Sequence, residues 1–285
     1  MRSVFYELDK PGPKLFGEWQ FPCAPDSIKI VLDYYDLCPN EVSCSVAGVE
    51  NQTLIIRCTD ARYVLRVYRQ HKKTTYEIES EIDFMQYLAE KGVPVPEVIR
   101  NSSGSLITEA VVDGVSWKCI VMSYMSGEPI RYCSKDLLGE IARLQAQIHI
   151  LGAQYAVLRG ILRQQLRNKT SLRLVGSGLT WGFTHFDITR NNVLALDGHI
   201  SALLDFDDMG FGLVVDCLAR SLVPSAGLVA TPQERAFYVG QYQAVMPLSA
   251  LEKLRLRAFI IYGRRIWPKV NLQPSTGSRA VDLSQ

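Results

Sequence analysis

Val193-Leu194-Ala195-Leu196, Asp197-Gly198 and Ile200-Ser201-Ala202-Leu203-Leu204 read as a strand, a two-residue turn and a returning strand. This is the tightest constraint in the chain. Asp-Gly between apolar runs is a strong hairpin signal, because both turn positions need positive φ. A hairpin of that length carries Asp205 back beside Asn192. The segment entering it is His185-Phe186-Asp187-Ile188-Thr189-Arg190-Asn191-Asn192. One Asp, one Asn and a second Asp are thereby expected in one cleft.

Composition narrows the class. A chain of 285 residues with 47% hydrophobic and 21% charged residues suits one large or two modest globular domains. The formal charge of +2 gives no basic face of the kind that binds nucleic acid. No apolar run reaches the roughly 18 residues of a membrane-spanning helix, and Met1 to Glu7 lack a signal-peptide core. No nucleic-acid or membrane partner is expected, and the expected location is the cytoplasm. The seven cysteines form no C-x-x-C pair, so they read as reduced thiols and not as a zinc site.

Two regions differ in pattern. Residues up to about Pro25 are rich in Pro and Gly and read as an irregular extension. Asp26 is placed to cap a helix carrying Ile28, Ile30, Val31, Leu32 and Tyr35. Period-two runs follow at Thr53–Cys58 and Tyr63–Tyr68, joined by Thr59-Asp60-Ala61-Arg62. Ile78, Ile82, Met85 and Leu88 recur at helical spacing from about Thr75, and Gly92, Pro94 and Pro96 end that helix. Glu97–Ile99, Leu106–Thr108 and Trp117–Met122 read as further strands. Beyond Met125-Ser126-Gly127-Glu128-Pro129 the pattern turns helical: Leu137, Ile141, Leu144, Ile148 and Leu151 form one buried stripe. Helical patterns return at about Thr231–Val245 and Ser249–Trp267. The tail from about Leu272 carries few large apolar residues and is expected to be mobile.

The spacing of Asp187, Asn192 and Asp205 suits metal-assisted phosphoryl transfer. Such transfer needs little covalent help; it needs an aligned nucleophile and neutralised phosphate charge. Asp187 is the candidate catalytic base, orienting an acceptor hydroxyl. Asn192 and Asp205 are the candidate ligands for magnesium, which prefers hard oxygens and few protein ligands. Asp207 and Asp208 stay open between a second metal ligand, a substrate contact and a solvated loop carboxylate.

These residues and their order resemble the aminoglycoside phosphotransferase and homoserine kinase-like family, which has a two-lobed protein-kinase-like fold. The likeness runs from about Val46 to Ala219. It includes the Val46–Val67 hairpin, the helix with Glu81 before Gly92-Val93-Pro94-Val95-Pro96, the segment Val121–Pro129, the helix Leu138–Leu144, the His185–Asn192 loop, Asp205, and Asp216-Cys217-Leu218-Ala219. The resemblance implies an α+β fold: a small antiparallel-sheet N-lobe with one helix (1–122), a hinge (123–129) and a larger, mainly helical C-lobe (130–285).

It also implies roles. Arg66 sits where protein kinases carry a phosphate-contacting Lys, and its fork can clamp phosphate and pair with Glu81. Glu77 and Glu79 compete with Glu81 for that partnership. Gly48 is the one candidate for a nucleotide loop, since no G-x-G-x-x-G is present. In the hinge, the Ser123 carbonyl and Met125 amide would meet the adenine edge, with Met122 bordering the base. His185 and Asp216 would hold the catalytic loop. The expected activity is transfer of the γ-phosphate of ATP, with GTP as the alternative donor, to a hydroxyl of a small molecule: an amino alcohol, a homoserine-like compound, a sugar or an aminoglycoside. A non-catalytic nucleotide-binding regulator is the competing reading, with an atypical protein kinase behind it. The chain carries no A-P-E segment, no Arg after His185 and no Gly after Phe206, which sets a conventional protein kinase aside.

Overall fold

The computed structural model describes residues 21–45, 51–159, 178–266 and 279–282. They divide into two units. The first comprises residues 21–45, 51–86, 96–124 and 279–282; the second comprises 87–95, 125–159 and 178–266.

The first unit contains α1 (Pro25–Leu32), β1 (Glu41–Ser45), β2 (Gln52–Arg57), β3 (Arg62–Val67), most of α2 (Thr75–Glu90), β4 (Val98–Ile99), β5 (Thr108–Val112) and β6 (Val115–Ser123). A final strand, Arg279–Asp282, lies beside β1, and the sheet continues β1-β2-β3-β6-β4 with β5 on β6. All of these pairings are antiparallel. Side chains alternate across the sheet. Leu54, Ile56, Leu65 and Val67 therefore point to one face, where they form a core with Ile28, Val31 and Leu32 of α1 and with Trp117, Cys119 and Val121 of β6.

Three expectations change here. Asp26 lies inside the first turn of α1 and is not its cap; Ala24 holds that position and Pro25 opens the helix. Proline's fixed φ suits that first position, where its missing N–H has no helical partner to lose. The strand expected at Leu106–Thr108 instead runs from Thr108 to Val112, and Asp113-Gly114, with φ of 51° and 77°, turns it into β6. This is a second Asp-Gly hairpin. The tail expected to be mobile contributes the strand Arg279–Asp282, where Val281 pairs with Val42.

Helix α2 opens with a capping box. The Thr74 hydroxyl accepts from the Glu77 N–H, and the Glu77 carboxylate accepts from the Thr74 N–H. It closes at Gly92, whose φ is 79°, with the Val93 N–H donating to the Leu88 carbonyl. That left-handed position favours glycine.

The second unit contains β7 (Glu128–Pro129), α3 (Lys135–Leu158), β8 (Trp181–Thr184), β9 (Val193–Leu196), β10 (His199–Leu203), β11 (Gly210–Leu213), α4 (Val214–Ser221), α5 (Pro232–Val245) and α6 (Ala250–Ile266). Ser134 caps α3, its hydroxyl accepting from the Leu137 N–H. β7, β9 and β10 form one small sheet, and β8 pairs with β11. Neither β7 nor β11 has the length or alternation that marks a strand in sequence.

The long helix α3 lies against α5 and β8. Its backbone touches the strand directly: a methyl group on Gly152 would strike the Phe183 carbonyl, and one on Gly182 would strike the backbone at Ala153. Behind that contact runs a buried polar chain. Gln145 accepts from the Tyr238 hydroxyl at 2.7 Å and donates to the Ser221 hydroxyl at 3.0 Å. His149 Nδ1 meets the Tyr242 hydroxyl at 2.7 Å, and burial pushes the His149 pKa down to about 3. Among the described residues, no helix is long and apolar enough to cross a membrane.

Candidate active site

Each unit gathers one group of the residues singled out above. In the first unit, alternation along β3 puts Arg66 on the face opposite Leu65 and Val67. The buried stripe Ile78, Ile82, Met85 and Leu88 fixes the rotation of α2, and Glu81 on that helix is fully buried. Arg66 Nη1 lies 3.2 Å from Glu81 Oε1, and the Tyr68 hydroxyl donates to the same oxygen at 3.3 Å. The other oxygen, Oε2, lies 2.7 Å from Lys73 Nζ. A buried carboxylate costs several kcal/mol in lost hydration unless it is paired; here both oxygens are paired.

Glu77 and Glu79 are placed otherwise. Glu77 caps α2, and the Thr74 N–H holds its carboxyl below the usual range. Glu79 is exposed and borders a groove of about 480 Å³, along with Asp83, Arg100, Leu106 and Glu109. Apart from Glu79, that groove contains none of the candidate residues. Concave volume alone would mislead here, and the ion pairs give the better guide to chemistry.

Lys73 is the residue the sequence reading missed. The signal was present: residues 73, 77 and 81 follow the four-residue spacing of one helix face, continued one turn ahead of α2. Gly48 lies outside the described residues. Near it, buried Asn51 accepts the Arg69 N–H at 3.2 Å. Met122 is buried in β6, opposite Val64 and Val98. Ser123 is tied to Glu97 twice, through its N–H and its hydroxyl. Met125 is half-buried and begins a segment of the second unit.

In the second unit, β8 leads into His185 and the candidate catalytic loop. The Asp187 N–H donates to His185 Nδ1 at 3.2 Å, and His185 Nε2 lies 2.9 Å from the Leu204 carbonyl. An N–H can only donate and a carbonyl can only accept, so the ring is neutral with its proton on Nε2. His185 is fully buried against the Phe206 ring, with centroids 4.6 Å apart. It ties the residue before Asp205 to the backbone N–H of Asp187.

Asn192 completes the loop. Its Nδ2 donates to the Asp187 carbonyl at 2.9 Å and to Asp187 Oδ2 at 2.6 Å. The Leu204 N–H donates to the Asn192 carbonyl at 2.7 Å, which sets Asp205 beside it. The hairpin turn Asp197-Gly198 has φ of 52° and 85°. Two non-glycine residues of the site also have positive φ, Phe186 at 59° and Asp205 at 62°. Such conformations cost of order 1–3 kcal/mol and gather at functional sites. Arg220 holds Phe186 by donating to its carbonyl at 3.2 Å, while Gly212 leaves room for the ring.

Electrostatics set this loop apart. The Asp187 carboxyl is pushed up to about 6, first by burial and then by the negative charges of Asp208 and Asp205. Asn192 and Arg220 oppose that shift. Asp208 lies 3.8 Å from Arg220. Asp216 does not hold the catalytic loop as the resemblance implied; its two oxygens meet the Arg255 fork at 2.8 and 2.9 Å, joining α4 to α6. The loop carbonyl is held by Arg220 instead, one helical turn further along α4.

The donor set fits a hard divalent cation. With its Nδ2 committed to Asp187, Asn192 keeps its amide oxygen as the acceptor end, and Asp205 supplies a carboxylate. Among the described residues, no three His, Cys, Asp or Glu side chains come together as a metal cage. The residues that could hold such a cation are Asn192 and Asp205.

The sequence matches the phosphotransferase enzyme family over residues 45–175 and 158–231. The chain belongs to that family. It is a small-molecule phosphotransferase of the aminoglycoside phosphotransferase and homoserine kinase type. It is 24% identical to the homoserine kinase of Xanthobacter autotrophicus, over 82% of this chain and 80% of that one. It is 23% identical to the homoserine kinase of Azorhizobium caulinodans, over 72% and 71%. In fold it is similar to a microcompartment-associated aminopropanol kinase, with a TM-score of 0.64, 20% identity and coverage of 82% and 85%. An amicoumacin kinase solved with AMP-PNP and Ca2+ gives a TM-score of 0.63 at 17% identity, covering 83% and 84%.

Proposed function

We propose that this phosphotransferase uses ATP and Mg2+ to phosphorylate the hydroxyl of a small amino alcohol. One observation carries the reading: Asp187 sits in a buried loop with its carboxylate held by Asn192, beside the carboxylate of Asp205. In the proposed mechanism Asp187 accepts a hydrogen bond from the acceptor hydroxyl, aims its oxygen at the γ-phosphorus and takes up its proton as the new P–O bond forms, while the bond from the γ-phosphorus to the β–γ bridging oxygen breaks and the nucleoside diphosphate leaves with that oxygen. Asn192 and Asp205 would hold Mg2+, whose chemistry is to neutralise phosphate charge. His185, fixed in its neutral form, orients the loop and carries no proton in the reaction. Arg66, positioned by Glu81, is assigned to the nucleotide phosphates.

The acceptor class rests on charge. The charges of Asp208 and Asp205 lie close enough to Asp187 to raise its proton affinity, a setting that favours an acceptor bearing an ammonium near its hydroxyl. The homoserine and aminopropanol kinases similar to this chain are named for acceptors of that kind.

The test is nucleoside diphosphate release with Mg2+ and ATP or GTP, across amino alcohols, sugars, nucleosides and aminoglycosides, with Asp187→Ala as control. Amino-alcohol-dependent release that vanishes in the variant supports the reading. Release with sugars alone would overturn the acceptor class. No release with any acceptor, despite nucleotide binding, would favour the regulator instead.

A further inference from the structure

We propose that Lys73, from the loop ahead of α2, supplies the ammonium that engages the nucleotide phosphates. Arg66 of β3 serves as its second prong. This rests on the nucleotide-binding reading above and extends it to a residue outside the family's strand position.

The geometry is specific. Kinase-type phosphoryl transfer depends on a Lys–Glu ion pair between the sheet and the helix beside it, because the pair fixes an ammonium against the phosphates. This chain has Arg66 on the strand, yet a Lys–Glu pair is still present. It is formed by Lys73, whose Nζ lies 2.7 Å from Glu81 Oε2, against 3.2 Å for the Arg66 contact to Oε1. The shorter contact is the lysine's.

The Lys73 side chain is 15% exposed and the Arg66 side chain 11%. Both are therefore drawn out of water, a cost that one surface lysine would not meet for an exposed pair. Tyr68 fixes the carboxylate from a third direction, and Lys73 stands over the Tyr68 ring at 5.8 Å. Glu81 thus sets the spacing of two cations that differ in kind. The guanidinium is a planar fork suited to two oxygens of one phosphate. The ammonium is a compact point charge on a flexible stem, suited to follow a phosphate chain. A polyphosphate offers adjacent anionic groups for both.

The test compares wild type, Lys73→Ala and Lys73→Arg in full-length protein. It measures affinity for ATP and for adenosine, the KM for ATP against kcat, and thermal midpoint. The expected result is a ten- to hundredfold loss of ATP affinity in Lys73→Ala, about the worth of one charged hydrogen bond. Adenosine affinity should stay at the wild-type value, the loss should appear in KM more than in kcat, and Lys73→Arg should recover most of it. Wild-type ATP affinity in Lys73→Ala would overturn the proposal. Equal loss of ATP and adenosine with a lowered thermal midpoint would make Lys73 a brace for α2, which also overturns it. If Lys73→Ala fails to fold, Lys73→Gln against Lys73→Arg decides by the same ATP-to-adenosine ratio. Wild-type protein that binds neither compound would overturn the nucleotide-binding reading itself, a result distinct from all of these.

Discussion

The two clusters of charge in this molecule are built on opposite terms. In the first unit one buried carboxylate, Glu81, is matched on both oxygens by Arg66 and Lys73. In the second, burial and the negative charges of Asp208 and Asp205 raise the proton affinity of Asp187, and Asn192 and Arg220 offset this only in part. The first arrangement is a prepared cradle whose parts hold each other in place. The second stores repulsion that a cation would relieve. Phosphoryl transfer needs both: fixed positive charge for the phosphates, and a carboxylate with enough proton affinity to meet a hydroxyl.

Breaking the second cluster should have the larger effect on turnover. Asp187→Ala is expected to lower kcat by about 10²–10⁴-fold while leaving nucleotide affinity near wild type, read by steady-state kinetics beside calorimetry. Breaking the first should act on the fold as well. Glu81→Ala leaves two cations without the carboxylate they share, which should cost about 3–5 kcal/mol of stability, measured by urea unfolding. A loss no larger than that of an exposed ion pair would mean the cradle is not a unit.

Acid should separate the units. His149, in the second, has its pKa pushed from an ordinary 6.5 to about 3 by burial. Between those values the unfolded chain binds a proton that the native ring does not. The stability present above pH 6.5 is therefore lost as pH falls through that window, by about 2 kcal/mol at pH 5. Hydrogen exchange at pH 5 and 7 should show the loss in α3 and α5, and a loss confined to the first unit would contradict it. Asp205→Ala should weaken nucleotide binding about tenfold, or ~1.4 kcal/mol, in Mg2+ and leave it unchanged in EDTA. An unchanged Mg2+ requirement would remove Asp205 as a ligand. The smallest effect is expected at Asp216. Asp216→Asn should lower stability by about 0.5 kcal/mol, since its Arg255 partner is more than a third exposed, and leave kcat alone. A large fall in kcat would restore Asp216 to the catalytic loop.

The same contrast explains what the sequence made legible. The hairpin after Asn192 was readable because turn chemistry and apolar alternation agree within a dozen residues. Helix α2 was readable from its stripe and from Gly92. The strands β7 and β11 were not, because two residues of Glu-Pro and four of Gly-Phe-Gly-Leu carry no period of their own; partners elsewhere in the chain define them. Side-chain partners were hardest. Arg255 for Asp216 is a choice among many cations that only packing makes, and the 73, 77, 81 spacing offers Lys73 to Glu81 without excluding Arg66. Asp187, Asn192 and Asp205 stood out because their spacing is short and their chemistry narrow.

The bare contact between Gly152 and the Phe183 carbonyl has a mechanical consequence. Two residues beyond Phe183 the chain reaches His185, and two further on Asp187. No side chain cushions the helix from the strand at this point, so the backbone of α3 serves as the datum from which the height of the Asp187 carboxylate is set. At residue 152 a single added carbon would be transmitted down the strand to Asp187, detuning the enzyme without removing any polar atom.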